Sequence, residues 1–294
     1  MKFILDMIKG MFVGVANIIP GVSGGTMAVS VGIYDKIIDS LNNLTHHFKK
    51  AFLTLLPIVI GMVVGIGIFS FIIPHCLTAY SFQTCMCFTG LILGGIPELI
   101  TATGSALKKE KRRINPFHIL FFILFLGVAV WMALANPEST GADSIETDWL
   151  TLLKLVGLGI IAAATMVIPG VSGSLLLMML GYYAGIVGTI SLLLTSLKAL
   201  EGAMIGHCVL VLVPFAIGCI IGILLISKII SWLFKRFESV TYCAILGLIA
   251  ASPFAIFYKM EPATFTTVNV LVGVVLFIAG TCLTYFMSVK TKKK

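Results

Sequence analysis

Six apolar stretches, each near the length that a helix needs to cross a membrane, constrain the fold of this chain most strongly. A spanning helix takes about 20 apolar residues. Only 11% of the 294 residues are charged, against about a quarter in an ordinary soluble domain. We therefore expect an all-α, polytopic membrane protein and exclude a soluble globular one. The predicted spans are residues 52–73, 83–103, 117–135, 206–226, 241–258 and 267–287.

Two further apolar regions are each interrupted by the same six residues. The sequence Ile-Pro-Gly-Val-Ser-Gly occupies residues 19–24 and returns at residues 168–173, an offset of 149. Proline and glycine interrupt a helix, so each copy divides its apolar region into two short arms. We predict a re-entrant helical hairpin over residues 3–40 and a second one over residues 150–197.

The match between the two halves continues beyond these motifs. Helix-breaking residues recur at nearly constant spacing, which chance similarity between apolar helices would not produce. The sequence therefore predicts a duplication: residues 1–135 and 150–294, each with one hairpin and three spans, joined by an acidic linker over residues 136–149. The matched pairs are Gly10 with Gly159, Gly32 with Gly181, Tyr34 with Tyr183, Pro57 with Pro214, Gly61 with Gly218, Gly65 with Gly222, and Gly90 with Gly247.

The charges predict how the chain is oriented. If both termini are cytoplasmic, 17 of the 20 Lys and Arg residues fall inside, and only Lys154, Lys198 and Lys259 fall outside. The linker, with four acidic and no basic residues, is then extracytoplasmic. Each half crosses the membrane an odd number of times, so the second half is inverted. Inverted repeats with broken helices are typical of secondary transporters.

The net charge of +8 is explained by basic residues that set the topology and contact anionic membrane lipids. Nucleic acid is therefore not an expected partner. The Gly-Val-Ser-Gly-Gly run at residues 21–25 fits a hydrolase nucleophile motif, but that motif needs a preceding strand. No phosphate-binding loop motif occurs, and Cys85 and Cys87 lack neighbouring residues with metal-ligand spacing. We expect no catalytic residues, metal or cofactor.

The two breaks are the strongest candidates for a binding site. A helix that restarts after a break exposes N–H groups and the positive end of its dipole, which attract anions and phosphate above all. No Lys or Arg lies within either motif, so N–H groups and hydroxyls would hold the anion. In the alternative interpretation, the breaks are kinks whose backbone groups are satisfied by neighbouring helices. The candidate residues are Pro20, Gly21, Ser23, Gly24, Gly25, Thr26, Pro169, Gly170, Ser172, Gly173 and Ser174.

Two carboxylates within the apolar body are candidates for ion coupling. Ionisable residues inside membrane segments are functional candidates by default. Asp35 and Glu98 have Ala184 and Phe254 as their counterparts in the second half, so the two halves differ here. In the alternative interpretation, both carboxylates lie at the cytoplasmic interface and reach water.

Three segments, GVANIIPGVSGGTMAVSVGIYDKII, MVIPGVSGSLLLMMLGYY and GLILGGIPELI, resemble the bacterial polyprenyl-phosphate transporters, formerly a domain of unknown function. The likeness covers essentially the whole chain. It implies a flippase in the bacterial cytoplasmic membrane that returns undecaprenyl phosphate from the outer to the inner leaflet, recycling the carrier lipid of cell-wall synthesis. The resemblance places phosphate handling at the two breaks, with Asn17 beside the first. Ser174 and Leu175 replace Gly25 and Thr26 in the second copy, so we expect unequal half-sites.

Physical chemistry fits this substrate class. Removing a prenyl tail from lipid costs ~0.8 kcal/mol per CH₂, so the tail stays in the bilayer and only the head group crosses. Inward movement of an anion opposes the membrane potential by ~2.3 kcal/mol per charge per 100 mV, so a proton or another cation is expected as co-substrate. The alternatives are a permease for a small soluble anion and a membrane lipid-phosphate phosphatase. The sequence does not indicate an oligomeric state.

Overall fold

A computed structural model of the chain describes residues 2–19, 22–44, 47–135, 145, 147–260 and 265–292. Of these residues, 85% are helical and none is in a strand, which confirms the all-α prediction. The helices are α1 (Lys2–Ala16), α2 (Gly24–Ser30), α3 (Tyr34–Asn42), α4 (Phe48–Ala79), α5 (Ser81–Leu93), α6 (Ile96–Lys109), α7 (Pro116–Leu134), α8 (Trp149–Val167), α9 (Gly173–Met179), α10 (Tyr183–Ala199), α11 (Gly202–Arg236), α12 (Glu238–Ala250), α13 (Ser252–Tyr258) and α14 (Thr267–Lys292).

Seven helical segments of the described chain are long and apolar enough to cross a membrane, so the protein is a multi-pass membrane protein. Six of them coincide with the six predicted spans; α5 with α6 forms one, and α12 with α13 another. The seventh segment, Trp149–Val167, was expected only as an arm of the second hairpin. Taken together, α9 and α10 are also long and apolar enough to cross a membrane, but the two helices are bent by 109° relative to each other. If this pair is one broken span, the described chain has eight candidate spans.

The first arms of the two predicted hairpins differ in length. At 1.5 Å per residue, the 15 residues of α1 extend ~22 Å, short of the ~30 Å hydrocarbon core. The 19 residues of α8 extend ~28 Å, nearly the full thickness. The length of α1 fits a re-entrant arm better than that of α8. Both hairpins remain predictions.

The chain divides into two compact units. One contains Met1–Leu134, Ile168–Val171 and Ile229–Lys294, and the other contains Ala135–Val167 and Ser172–Lys228. The core of the second unit is a cluster of buried apolar residues: Ile145, Leu155, Leu158, Ala162, Leu177, Ile186 and Val211. The bounds of these units are not those of the predicted repeats, which remain a prediction. Most of the predicted linker 136–149 lies outside the described residues.

Matched glycines make matched helix contacts in the two units. A Cβ atom on Gly61 of α4 would lie 1.9 Å from the Met7 carbonyl oxygen of α1. A Cβ atom on Gly218 of α11 would lie 2.1 Å from the Val156 carbonyl oxygen of α8. Val156 follows Met7 by 149 residues, the offset of the two motifs. Equivalent backbone contacts at equivalent positions support the predicted duplication.

The last helix of each predicted repeat packs against the other repeat. Gly90 of α5 lies against Phe277 of α14, and Gly247 of α12 lies against Phe122 of α7; a Cβ atom on either glycine would be 2.2 Å from the carbonyl oxygen of its partner. All four residues belong to the first unit. Because α14 packs against α5 in this way, the end of the chain belongs to the first unit.

A polar link fixes the connection between α6 and α7 to the start of α12. The Glu110 carboxylate accepts hydrogen bonds from the Ser239 amide, 3.0 Å, and from the Ser239 hydroxyl, 2.6 Å. The Nε2 atom of buried His118 lies 2.9 Å from the same hydroxyl. Partial burial raises the pKa of Glu110, but the Ser239 hydrogen bonds together with Arg112 and His118 outweigh it and hold that pKa below its ordinary value. The carboxylate therefore stays ionised as the N-terminal anchor of α12.

We predict that Gly61→Ala and Gly218→Ala each destabilise the protein by about 1–3 kcal/mol, because the added methyl group meets backbone of the facing helix. The measurement is the thermal unfolding midpoint of the purified protein in detergent. Gly67→Ala is the control: nothing lies within 4 Å of its Cβ position, so it should be neutral or stabilise by up to about 1 kcal/mol. Equal midpoints for all three variants would contradict the close packing.

Candidate functional site

The first break is held by side chains on both of its sides. Ser23 has extended backbone (φ −102°, ψ 143°) and caps α2, its Oγ accepting from the Thr26 amide at 3.1 Å. Asn17, just beyond α1, accepts from the Gly24 amide at 3.2 Å and donates to the Val13 carbonyl at 3.1 Å. Asn17 therefore lies at the break, where the family resemblance placed it. Pro20 and Gly21 lie outside the described residues.

Gly170 of the second motif contacts this first break. Its amide donates to both hydroxyl oxygens of the break, at 3.1 Å from Ser23 and 2.7 Å from Thr26. Gly170 has φ +76°, in the left-handed region, and a Cβ atom there would lie 2.7 Å from the Leu248 side chain. Only glycine fits this position without strain. Gly170, after buried Pro169, is thus brought to Ser23 and Thr26 within the first unit.

The two hydroxyls of the first break form a buried cluster rich in hydrogen-bond donors. Ser23 is 7% exposed and Thr26 is 0% exposed, and their oxygens lie 3.1 Å apart. One hydroxyl donates to the other, and both oxygens already accept from amides. Each hydroxyl has one proton. No hydrogen bond from the second proton is found among the described residues, which do not include the neighbouring Pro20 and Gly21.

The second break repeats the cap of the first with a different hydroxyl set. Ser172 (φ −99°, ψ 111°) caps α9, and its Oγ accepts from the Leu175 amide at 3.4 Å. Because Leu175 replaces Thr26, the partner hydroxyl comes from Ser174, with 3.1 Å between the two oxygens. Ser172, buried Gly173 and Ser174 belong to the second unit. The two breaks have the same cap and different hydroxyl groups, while the unequal half-sites stay a prediction.

The structure of the two breaks differs from the open helix ends that the sequence predicts as anion-binding groups. Helices α2 and α9 have seven residues each, so few peptide dipoles align behind either break. The amides of Gly24, Thr26 and Gly170 all donate to side-chain oxygens of the protein, as the alternative interpretation of a satisfied break requires. Buried Gly25 packs in the same turn. Among the described residues, the hydroxyl groups are therefore the candidate donors to an anion at the first break, in place of the open helix ends that the sequence predicts.

A buried lysine caps the other end of α2. The Lys9 side chain is 1% exposed, and its Nζ atom donates to the Val31 carbonyl at 2.6 Å and to the Met287 carbonyl of α14 at 3.0 Å. Val31 is the C-cap residue of α2 and directly follows its last helical residue. A cation at a helix C-terminus satisfies unpaired carbonyls and complements the dipole. Lys9 thus ties α1, α2 and α14 together.

The sequence predicts only a topological role for Lys9, yet its spacing contains a signal. Asp6 and Lys9 lie three residues apart in α1, and Asn17 comes eight residues after Lys9. This spacing places them on the helix face that also contains Gly10 and Gly14. That face packs against α4 through the glycines. Charged residues on a packing face, in a helix of an apolar chain, are expected to be buried and partnered. The positions of Asp6 and Lys9 on this face are visible when α1 is drawn as a helical wheel.

Asp35 and Glu98 lie together at one small pocket of the first unit. The pocket has a volume of about 80 Å³, and Tyr34 and Tyr242 also line it. Glu98 accepts a hydrogen bond from the Ser288 hydroxyl, and the Tyr242 hydroxyl lies 3.5 Å from Asp35. The structure thus brings the two predicted coupling carboxylates together. They lie toward the C-terminal end of α2, since Val29 and Gly32 line the same pocket.

We predict that Lys9→Met destabilises the protein by about 1–3 kcal/mol for each backbone carbonyl that loses its buried donor. The substitution leaves the carbonyls of Val31 and Met287 without their donor. The thermal unfolding midpoint measures the loss. Lys49→Met is the matched control, since Lys49 is exposed and its replacement should shift the midpoint little. A midpoint for Lys9→Met equal to that of the control would show that Lys9 does not hold this junction.

Two known proteins that the chain resembles along most of its length are both named polyprenyl-phosphate transporters. The chain is 29% identical to the polyprenyl-phosphate transporter of Staphylococcus aureus (strain NCTC 8325 / PS 47), over 94% of this chain and 93% of the relative. It is 26% identical to the polyprenyl-phosphate transporter of Vibrio cholerae serotype O1 (strain ATCC 39315 / El Tor Inaba N16961), over 84% of this chain and 75% of the relative. No solved structure matches the chain significantly.

A family model described as VCA0040-like, undecaprenyl phosphate translocase-like, matches residues 13–270. This range includes both breaks, Asp35 and Glu98, and all of α2 to α13, but only the end of α1 and the start of α14. The names of the family and of the two relatives indicate a transporter and not an enzyme. The chain belongs to the undecaprenyl phosphate translocase-like family.

Proposed function

We propose that this protein transports a polyprenyl phosphate across the membrane, with undecaprenyl phosphate as the expected lipid. The names of its relatives and family support this substrate class. The structural observation that carries the proposal is the buried hydroxyl pair of Ser23 and Thr26, which has one donor without an acceptor among the described residues. A phosphate oxygen is the acceptor that this arrangement fits.

The phosphate binds by replacing protein acceptors at the first break. Its oxygens accept from the hydroxyls of Ser23 and Thr26 and from the Gly170 amide, which now donates to those hydroxyls. Hydrogen bonds to an ionised acceptor are about twice as strong as neutral ones, so the exchange is favourable. Ser172 and Ser174 form the second, weaker half-site. Without a Lys or Arg in either motif, the site favours release over tight retention.

The lipid moves from the outer to the inner leaflet, and this returns the carrier for another round of cell-wall synthesis. Its tail stays in hydrocarbon while the phosphate crosses, since each CH₂ removed costs ~0.8 kcal/mol. Alternating access arises from the inverted repeats 1–135 and 150–294 around their hairpins. The protein lies in the bacterial cytoplasmic membrane with both termini in the cytoplasm, the orientation that places most cations inside.

Inward transport is coupled to a proton or another cation through Glu98 and Asp35. The phosphate carries negative charge against an inside-negative potential, at ~2.3 kcal/mol per charge per 100 mV, and a co-transported cation offsets this. Both carboxylates line one pocket at the end of α2, the helix that begins at the break. A change of charge there acts on the same element that holds the phosphate.

We predict that Ser23→Ala combined with Ser172→Ala weakens binding of a polyprenyl phosphate about tenfold or more and leaves binding of the uncharged polyprenol little changed. The substitutions remove the hydroxyl groups proposed to donate to the phosphate. They also remove the caps of α2 and α9, a loss that affects both lipids equally. Binding to the purified protein is measured for both lipids. Ser105→Ala with Ser191→Ala is the matched control, because these exposed serines bond only to their own helices. Equal losses for phosphate and alcohol would contradict a phosphate site.

We predict that Glu98→Gln slows leaflet exchange of a labelled polyprenyl phosphate in proteoliposomes and removes its dependence on the cation gradient. The amide keeps an acceptor for Ser288 but cannot change its charge. Exchange is measured with and without an imposed pH or sodium gradient. A variant with normal exchange and a normal gradient response excludes this role for Glu98. Uptake of soluble phosphate without lipid exchange by the native protein would contradict the lipid substrate itself.

A further inference from the structure

A polar groove lies between α3 and the start of α4, within the first unit. Its volume of about 610 Å³ falls within the usual range of ligand sites, and it shares no lining residue with the small pocket at Glu98. The two helices line it with residues spaced three and four positions apart, so each presents one face. These residues include Lys36, Asp39 and Ser40 from α3, and His47, Lys50 and Thr54 from the start of α4. Residues 45 and 46 of the connecting turn lie outside the described chain.

The groove lies at the depth of the lipid head groups. At 1.5 Å per residue the 32 residues of α4 extend ~48 Å, well beyond the ~30 Å hydrocarbon core. The charges of Lys49 and Lys50 place the excess length at this end of the helix. Phe48 is 65% exposed and Phe52 is 47% exposed, and their ring centroids lie 5.8 Å apart. Because apolar rings next to lysines are typical of the boundary between hydrocarbon and head groups, a head group in the groove can keep its chains beside these rings.

One side of the groove attracts a phosphate group. Helix α4 begins at Phe48 without a side-chain cap, so the positive end of its dipole is left to attract anions. His47 directly precedes this helix and Lys50 lies in its first turn, and both are exposed. Lys50 forms no ion pair within the described part of the chain. An ammonium, an imidazole N–H group and a helix start therefore meet at this side.

A buried serine adds a hydroxyl that the protein leaves unused. Ser40 lines the groove and is 8% exposed, and no hydrogen bond of its hydroxyl is found among the described residues. A helical serine commonly donates to the carbonyl four residues before it, so this hydroxyl is unusual. The fully enclosed side-chain groups without a partner belong to Tyr34 and Thr89. The Ser40 hydroxyl is not one of them, so it keeps accessible surface in the groove, where it can donate to a phosphate oxygen.

The other side of the groove attracts a cation. Asp39 is exposed and lies in the last turn of α3, where the helix dipole is negative. Its carboxylate forms no ion pair among the described residues, whereas Lys36 is paired with Asp6. Asp39 and Lys50 thus present opposite charges in one groove and do not form a salt bridge with each other. A ligand that carries both charges can contact both residues.

We propose that this groove binds the head group of a phospholipid that carries both a phosphate and a primary ammonium group, as phosphatidylethanolamine does. The phosphate accepts hydrogen bonds from Lys50, His47 and Ser40, and the ammonium group donates to the Asp39 carboxylate. A head group with negative charge alone would meet this carboxylate without compensation. The lipid is bound from the surrounding leaflet and is not transported, so this inference does not rest on the proposed function.

The first test compares three phospholipids with the same acyl chains. Phosphatidylethanolamine, phosphatidylcholine and phosphatidylglycerol are added separately to the purified full-length protein in detergent. A ligand that binds only the folded state raises the thermal unfolding midpoint with its concentration. We expect phosphatidylethanolamine to act at about tenfold lower concentration than the other two, since choline has no N–H donor and glycerol has no charge. Equal responses show general lipid contact only, and a stronger response to phosphatidylglycerol shows an anion site; either result overturns the proposal.

Two variants test the two sides of the groove, each measured against its own lipid-free midpoint. Lys50→Gln should weaken the response to phosphatidylethanolamine about tenfold. Lys49→Gln is the matched control, because Lys49 is exposed on the same helix and does not line the groove. Asp39→Asn should remove the preference for phosphatidylethanolamine over phosphatidylcholine and strengthen the response to phosphatidylglycerol. Equal effects of the two lysine variants, or a preference that survives Asp39→Asn, overturn the proposal.

A competition experiment separates this lipid from the transported one. A short-chain polyprenyl phosphate, which has no ammonium group, is added to protein saturated with phosphatidylethanolamine, and the bound phospholipid is measured by native mass spectrometry. We expect the phospholipid to remain bound at an equal concentration of the polyprenyl phosphate. Its displacement under these conditions would assign the groove to the transported lipid and overturn the proposal.

Discussion

A helix that breaks inside an apolar chain must find partners for the backbone groups it releases, and the rest of this structure depends on how it does so. In hydrocarbon each unsatisfied N–H or C=O group costs several kcal/mol. At the start of α2 the amides of Gly24 and Thr26 donate to the side chains of Asn17 and Ser23. At its end, Lys9 binds the Val31 carbonyl. The short helix is therefore held at both ends by side chains.

Because side chains hold both ends of α2, polar and charged groups lie deep in an otherwise apolar protein. Lys9 is needed where α2 ends, and a buried ammonium needs negative partners, which draws Asp6 and Glu98 toward it. Ser30 adds a further contact, its hydroxyl lying 3.1 Å from the Thr26 carbonyl and 3.2 Å from the Ile92 carbonyl. Lys9, which holds the end of α2, thus also interacts with Glu98, one of the two carboxylates that line the small pocket. Structure and proposed transport use the same residues.

Much of the fold could be predicted because it depends on local properties of the sequence. The six predicted spans follow from apolar length, and all six are found as helices. The sequence predicts that the segment Trp149–Val167 is a hairpin arm without spanning length; this is wrong, since the helix is long and apolar enough to cross by itself. The motif residues could be predicted as a site because their repetition is visible in the letters. The satisfied state of their amides could not, since it depends on Asn17 and Gly170 reaching them in space.

By itself the sequence determined that the chain is helical, that it spans a membrane several times, and that the same six residues interrupt it twice. Helix length and helix breaking depend on neighbours along the chain. Only the tertiary structure decided where the released groups and charges go. Gly170 reaches Ser23 across 147 positions, and Lys9 reaches Met287 across 278. Such contacts exist only after the helices pack, and close packing at glycines such as Gly61 brings those helices together.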